Sequence, residues 1–159
     1  VWTGVITSNF NVEGVSVRVT TAGHQQQDIV AFRIESPLLK TNRIAVRVRF
    51  PYPNAQFKDG GDNFKSDDQH KSVLMQSVAE TTIKRVLDTT VYYTSLKWNG
   101  SASFKQQAKH YFLIQPKSGT TNFELSAKFS STYRKGFAAT FAARPSHPTK
   151  WPSGYHTVD

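Results

Sequence analysis

Cysteine is absent from the 159 residues, and there is a single methionine. The missing cysteine excludes disulfide bonds, zinc–thiolate sites, iron–sulfur clusters and cysteine nucleophiles. No apolar run approaches the ~20 residues that a membrane-spanning helix needs, so we expect no membrane partner. The sequence also lacks G-x-S-x-G, G-x-G-x-x-G and a phosphate-binding loop, which argues against nucleotide binding. We therefore expect no cofactor.

Acidic residues are scarce, because 11 Asp and Glu stand against 20 Lys and Arg, a formal net charge of +9. Such a surplus raises the question of nucleic acid or an anionic polysaccharide as partner. The basic residues are spaced singly and no basic run exceeds two residues, so we expect no dedicated nucleic-acid surface. Arg43, Arg47 and Arg49 form a local exception, since their spacing places them on one face of a predicted strand. Two interpretations stay open for them: a solvated outer sheet face, or a patch that faces an anion or a neighbouring domain.

What the sequence does contain is alternation of apolar and polar residues with a period of two, which is typical of β-strands. The Glu13-Gly14 pair predicts a turn between the first two strands, and Asn99-Gly100 predicts a second hairpin, leading into residues 102–107. Tyr111 to Ile114 is apolar on both parities, which predicts a strand covered on both sides. Nine or ten strands without an amphipathic helix predict an all-β, antiparallel β-sandwich, either a whole domain or part of one.

The domain organisation follows from where the alternation stops. Residues 51–71 have no period and contain Pro51, Pro53, Gly60 and Gly61, so we expect a long loop of functional importance. Residues 1–143 are predicted to form the sandwich. Residues 144–159 hold three prolines and are predicted to be a linker toward a missing downstream domain.

No catalytic group emerges from the spacing of the polar residues. Glycoside hydrolysis requires a pair of carboxylates, and most acidic residues here stand in predicted turns without an evident partner. His70 follows Asp67 and Asp68 closely, but acidic loops are usually solvated, so we expect no metal site. His110, just before an apolar strand, is interpreted as structural.

Exposed aromatic rings can stack on sugars, and the candidates for carbohydrate binding are Tyr52, Phe57, Phe64 and Trp98. Packing in the core or against a neighbouring domain is the alternative for each ring.

Several stretches resemble a known kind of domain. They run from Trp2-Thr3-Gly4 through Ser8-Asn9-Phe10 and Val12-Glu13-Gly14 to Gly23-His24, and continue with residues 28–36, 47–53, 87–93 and 110–114. Together they resemble the N-terminal super-sandwich (galactose mutarotase-like) domain of six-hairpin, (α/α)6-barrel glycosidases, which include maltose phosphorylase-like, trehalase-like and α-fucosidase-like enzymes. The resemblance covers most of the chain, but it is a pattern of strands rather than a catalytic signature.

The resemblance implies a non-catalytic domain of a larger, secreted or periplasmic carbohydrate-active enzyme, either a glycoside hydrolase or a phosphorylase. The acid and base of such enzymes lie mainly in the helical barrel, so no catalytic residue is transferred to this chain. The implied partners are carbohydrate and the downstream barrel of the same polypeptide, and the resemblance also allows a second copy in a homodimer. Two alternatives stay open: a stand-alone carbohydrate-binding module, and a basic domain that binds polyanions. Loop 51–71 is the segment that we expect to reach a substrate cleft.

Overall fold

A computed structural model describes residues 4–24, 26–53, 60–76 and 81–134 of the chain. Within these ranges the fold is all-β, as predicted, with one short 3₁₀ helix at Pro37–Thr41 that is far too short to cross a membrane. The strands are β1 (Val5–Val12), β2 (Val15–Gly23), β3 (Ile29–Glu35), β4 (Val46–Arg49), β5 (His70–Gln76), β6 (Thr81–Leu87), β7 (Thr90–Trp98), β8 (Ala102–Ala108), β9 (Tyr111–Pro116) and β10 (Asn122–Ser130). The predicted linker at 144–159 and the candidate Phe57 lie outside the described residues.

The strands form two antiparallel sheets that pack as a β-sandwich, which confirms the predicted fold class. The larger sheet has seven strands in the order β1-β2-β3-β10-β7-β6-β5, and the smaller has three in the order β4-β9-β8. The core lies between the sheets and is built from one parity of each strand. Its fully enclosed members include Leu39, Ile83, Leu96, Phe112, Ile114 and Phe123.

The turn between β1 and β2 is the predicted one. Val12 pairs with Val15, so the connection consists of Glu13 and Gly14 alone. Both residues have positive φ, 51° and 79°, which is the backbone of a type I′ hairpin turn. That turn has the twist that neighbouring strands require, and it fixes the register of the hairpin.

The second predicted hairpin is wrong. β7 pairs with β6 and β10 in the larger sheet, whereas β8 pairs with β9 in the smaller one, so Asn99-Gly100 carries the chain from one sheet to the other. Asn99 instead joins β10, because its amide N–H donates to the carbonyl of Glu124 and its side-chain oxygen accepts from the Glu124 amide at 2.8 Å. These two bonds hold the turn against the larger sheet while the chain crosses over.

The strand predicted around residues 44–50 is shorter than expected, because β4 covers only Val46–Arg49. Arg43 therefore lies before the strand, where its guanidinium pairs with Glu13 in the β1–β2 turn. Arg47 and Arg49 keep the expected position on the outer face of the smaller sheet.

In β9, Phe112 and Ile114 are buried while Tyr111 and Leu113 are half-buried, so the outer side of that strand is covered only in part.

The larger sheet extends beyond the smaller one at β1. Phe10 lies opposite the buried Val17, so it shares the core-side face of the sheet. Nevertheless Ile6, Phe10 and Val12 are 68%, 48% and 39% exposed. These three residues are called the apolar strip below.

Candidate functional site

A buried polar cluster surrounds Arg85, beside the outermost strand of the larger sheet. Arg85 has the same parity on β6 as buried Ile83, so the alternation of the strand directs its side chain inward, where it is 0% exposed. Its guanidinium donates to Nδ1 of His70 and, at 3.0 Å, to Nδ1 of His110. It also donates to the hydroxyl of Ser72, and it lies 4.7 Å from the centre of the Phe50 ring.

The contact with Arg85 fixes the tautomer of His70. A guanidinium can only donate, so Nδ1 of His70 accepts and the proton of its neutral ring is on Nε2. The Nε2–H of His110 donates to the backbone carbonyl of Asp67 at 2.8 Å. The Nε2 of His70 is buried and has no hydrogen-bond partner among the described residues.

His70 is held in its neutral form. Burial lowers the pKa of its imidazole to about 4, and the positive charge of Arg85 and the nearby His110 act in the same direction. The Asp67 carboxylate opposes them with a smaller effect. Neutral His70 and the Ser72 hydroxyl thus serve as uncharged acceptors for the buried guanidinium of Arg85.

Asp67, His70 and His110 offer ligand atoms within 4.8 Å of one another, which invites comparison with a metal site. The imidazole rings of His70 and His110, however, are stacked with centroids 3.7 Å apart and planes inclined by 28°. A metal ion needs each nitrogen lone pair to point at it, at about 2.0–2.1 Å and in the plane of its ring. Nearly parallel stacked planes do not meet at such a point, and Arg85 already occupies both Nδ1 atoms. The arrangement fits the guanidinium rather than a metal ion.

The cluster also anchors the base of the long loop that the sequence predicts. The amide of Tyr52 donates to the carbonyl of Asn63 at 3.0 Å, which closes the loop at its neck. On the far side, His110 holds the carbonyl of Asp67, and Lys109 forms an ion pair with Asp68. The tip, residues 54–59, lies outside the described residues, so the prediction that this loop reaches a cleft stays a prediction.

The three predicted carbohydrate-binding residues that the structure describes, Tyr52, Phe64 and Trp98, each contact different neighbours. Tyr52 is half-buried, with its ring 5.5 Å from that of His70 and its hydroxyl donating to the Asp88 carboxylate at 3.1 Å. That hydrogen bond, with burial and the negative charge of Asp88, raises the pKa of Tyr52. Trp98 is half-buried between the sheets and stacks on Phe104 with centroids 6.1 Å apart. Phe64 lies under the guanidinium of Arg49, which is 3.8 Å from the ring centre.

Four of the eight carboxylates among the described residues serve as ion-pair partners. Glu124 on β10 binds the Arg33 guanidinium at 2.7 Å, and Glu13, Glu35 and Asp68 pair with Arg43, Arg18 and Lys109. These pairs tie neighbouring strands or loops to each other. Each of these four carboxylates pairs with a different basic residue.

Arg85 is the central residue of the cluster, and the spacing analysis does not single it out. One signal was available, since Arg85 lies on the same face of β6 as the apolar residues Ile83 and Leu87. An arginine at a core position requires buried acceptors, and histidines are among the few side chains that supply them without a charge. Which histidines do so depends on contacts between β6, β5 and the start of β9, which sequence spacing does not show.

Comparison with known proteins adds no relative: no protein-family model matches this chain, and no curated protein matches it significantly.

Proposed function

We propose that this chain is a non-catalytic β-sandwich domain of a larger carbohydrate-active enzyme, a glycoside hydrolase or a phosphorylase. In this proposal it supports a helical catalytic barrel in the same polypeptide, and loop 51–71 helps to shape the substrate cleft. The super-sandwich resemblance motivates the choice of enzyme class. The structural observation that carries the proposal is the apolar strip.

The apolar strip supports a role as part of a larger assembly. Ile6 and Phe10 lie on the core-side face of the larger sheet, but their side chains are 68% and 48% exposed. Apolar residues that sit together on an exposed sheet face commonly mark an interaction surface. A neighbouring domain that covered β1 would complete the sandwich on this side, and each fully buried side chain would contribute about 1.5–3 kcal/mol.

The ion pairs of the carboxylates are consistent with a supporting role. Glu35 and Glu124 lie on strands, where a catalytic pair would be rigidly held, but each faces an arginine of a neighbouring strand. Both glutamates therefore link neighbouring strands. The reaction itself is then the task of the barrel.

The test compares the 159-residue chain with the full polypeptide that carries it. The double variant Ile6→Ser/Phe10→Ser removes two members of the apolar strip, and Val73→Ser/Val91→Ser is a matched control at exposed valines on the opposite face of the same sheet. We expect the strip variant to change the unfolding free energy of the isolated chain by less than about 1 kcal/mol, as for exposed sites. In the full polypeptide we expect a loss of about 3 kcal/mol and earlier proteolytic release of the sandwich.

Equal effects of the strip variant in the isolated chain and in the full polypeptide would contradict the proposal, as would equal effects of the strip and control variants. Deleting the tip of loop 51–71 in the full enzyme tests the second part of the proposal, the role of this loop in the substrate cleft. Unchanged kinetics after that deletion would contradict the proposal that the loop helps to shape the cleft.

A further inference from the structure

The outer face of the smaller sheet carries basic and aromatic side chains in a regular arrangement. Register places Arg47 of β4 and Lys105 of β8 on either side of Leu113 in the central strand β9, and Arg49 opposite Tyr111. Since neighbouring strands are about 4.8 Å apart, Arg47 and Lys105 are separated by about 10 Å across the sheet. We call this surface the basic face; it consists of Arg47, Arg49, Lys105, Tyr111, Leu113 and Phe64.

Aromatic rings hold the two guanidinium groups of the basic face in place. The guanidinium carbon of Arg49 is 3.8 Å from the centre of the Phe64 ring and 5.7 Å from that of Tyr111. That of Arg47 is 5.9 Å from the Tyr111 ring. These distances fall within the range of cation–π attraction. Because the rings restrict both side chains, less conformational entropy remains to be lost when the guanidinium groups bind a ligand.

The cations of the basic face have no carboxylate partner among the described residues, unlike most other arginines of the surface. Arg18, Arg33 and Arg43 each form an ion pair with a glutamate. By contrast Arg47, Arg49 and Lys105 are exposed and share their face with no acidic residue of β4, β8 or β9. The result is a concentrated positive surface with ordered, outward-directed donors.

We propose that the basic face binds a polysaccharide that carries carboxylate groups. A guanidinium presents its N–H groups as a planar fork that matches a carboxylate in a bidentate manner. The spacing across three strands suits a polymer whose acidic groups recur along its length. The choice of a polysaccharide over other polyanions rests on the proposed function, whereas the charge argument does not.

The rings of the basic face favour this ligand over nucleic acid. Proteins that bind single-stranded nucleic acid offer open aromatic faces on which bases stack. Here the Phe64 ring is covered by Arg49, and Tyr111 lies near both arginines. The aromatic groups therefore position cations rather than serve as stacking platforms, and the recognition falls to the guanidinium groups.

The experiment measures binding of the 159-residue chain to polygalacturonate at constant ionic strength. The neutral comparison is the same polymer after reduction of its carboxyl groups, and dextran sulfate and a single-stranded oligonucleotide serve as other polyanions. We expect binding to polygalacturonate and none to the reduced polymer. The double variant Arg47→Gln/Arg49→Gln should weaken binding by about tenfold or more, since each residue loses a charge-assisted hydrogen bond. Phe64→Leu should weaken it less, by releasing Arg49.

The matched control is Lys40→Gln/Lys71→Gln, which lowers the net charge equally at exposed residues away from the basic face. We expect this control to change the dissociation constant less than twofold at the same salt concentration. The proposal is overturned if polygalacturonate does not bind, if the reduced polymer binds equally well, if the oligonucleotide or dextran sulfate binds more tightly, or if the control loses as much affinity as the arginine variant. Because only the 159-residue chain is used, these outcomes are independent of whether the apolar strip docks a barrel.

Discussion

Arg85 and His70 show how a charge is kept inside this sandwich. The guanidinium donates to two imidazoles and a hydroxyl instead of a carboxylate, and it lies over the ring of Phe50. A buried cation requires such acceptors, because burial without them costs several kcal/mol. Burial beside Arg85 also disfavours a second positive charge on His70, so the cluster couples the fold to pH.

We expect the stability of the chain to decrease in acid through His70. Its pKa is about 4 in the folded protein and near 6.5 when unfolded. Above pH 6.5 the contribution of neutral His70 is complete; between pH 6.5 and pH 4 the unfolded chain takes up the proton first, and stability falls. The loss from this group approaches about 3 kcal/mol at the acid end of that window. Denaturant unfolding across this pH range measures it.

His70→Gln keeps an acceptor for Arg85 but no longer titrates, so its stability should vary less over the same pH range. His24→Gln is the matched control, since it replaces an exposed imidazole outside the Arg85 cluster. If the stability of the His70 variant depends on pH as it does in the wild type, other groups cause the acid sensitivity.

Single residues differ in how far the sequence predicted their roles. Tyr52, Phe64 and Trp98 were recognised as aromatic candidates, but sequence does not show that Tyr52 contacts His70 or that Phe64 supports Arg49. Those contacts join residues far apart in the chain. Their use in carbohydrate binding stays a prediction.

At the scale of elements, the β1–β2 turn is determined by its own two residues. Gly14 has φ of 79° and nothing within 4 Å of the position that a Cβ would take. We therefore expect Gly14→Ala to lower the unfolding free energy by about 1 kcal/mol through backbone strain alone. Gly23→Ala is the control, because Gly23 has equally open space and no positive φ; it should change stability by less than about 0.5 kcal/mol. Equal effects in a denaturant titration would rule out the backbone explanation.

The elements also show where local signals fail. Alternation predicted most strands to within a few residues, because it reports which side of each strand is buried. The Asn99-Gly100 turn was predicted correctly as a turn and wrongly as a hairpin. The dipeptide favours tight reversal, but the bonds of Asn99 to Glu124 in β10, a distant strand, decide which sheet the turn belongs to.

At the scale of the whole molecule, the two sheets are of unequal width. The smaller sheet has three strands against seven, and the apolar strip on β1 has the parity of the core without its burial. The basic face lies on the outer side of the smaller sheet. We infer that the two surfaces serve different partners: the apolar strip a neighbouring domain, and the basic face an acidic glycan.

The size of the native polypeptide tests the proposed function most directly. An antibody against the sandwich can be used to blot extracts and secreted fractions of the cells that produce it. We expect a band several times larger than 17.9 kDa, the mass of this chain, because the proposed function requires a catalytic barrel in the same polypeptide. A single band near 17.9 kDa would contradict the proposal that this sandwich supports a larger enzyme.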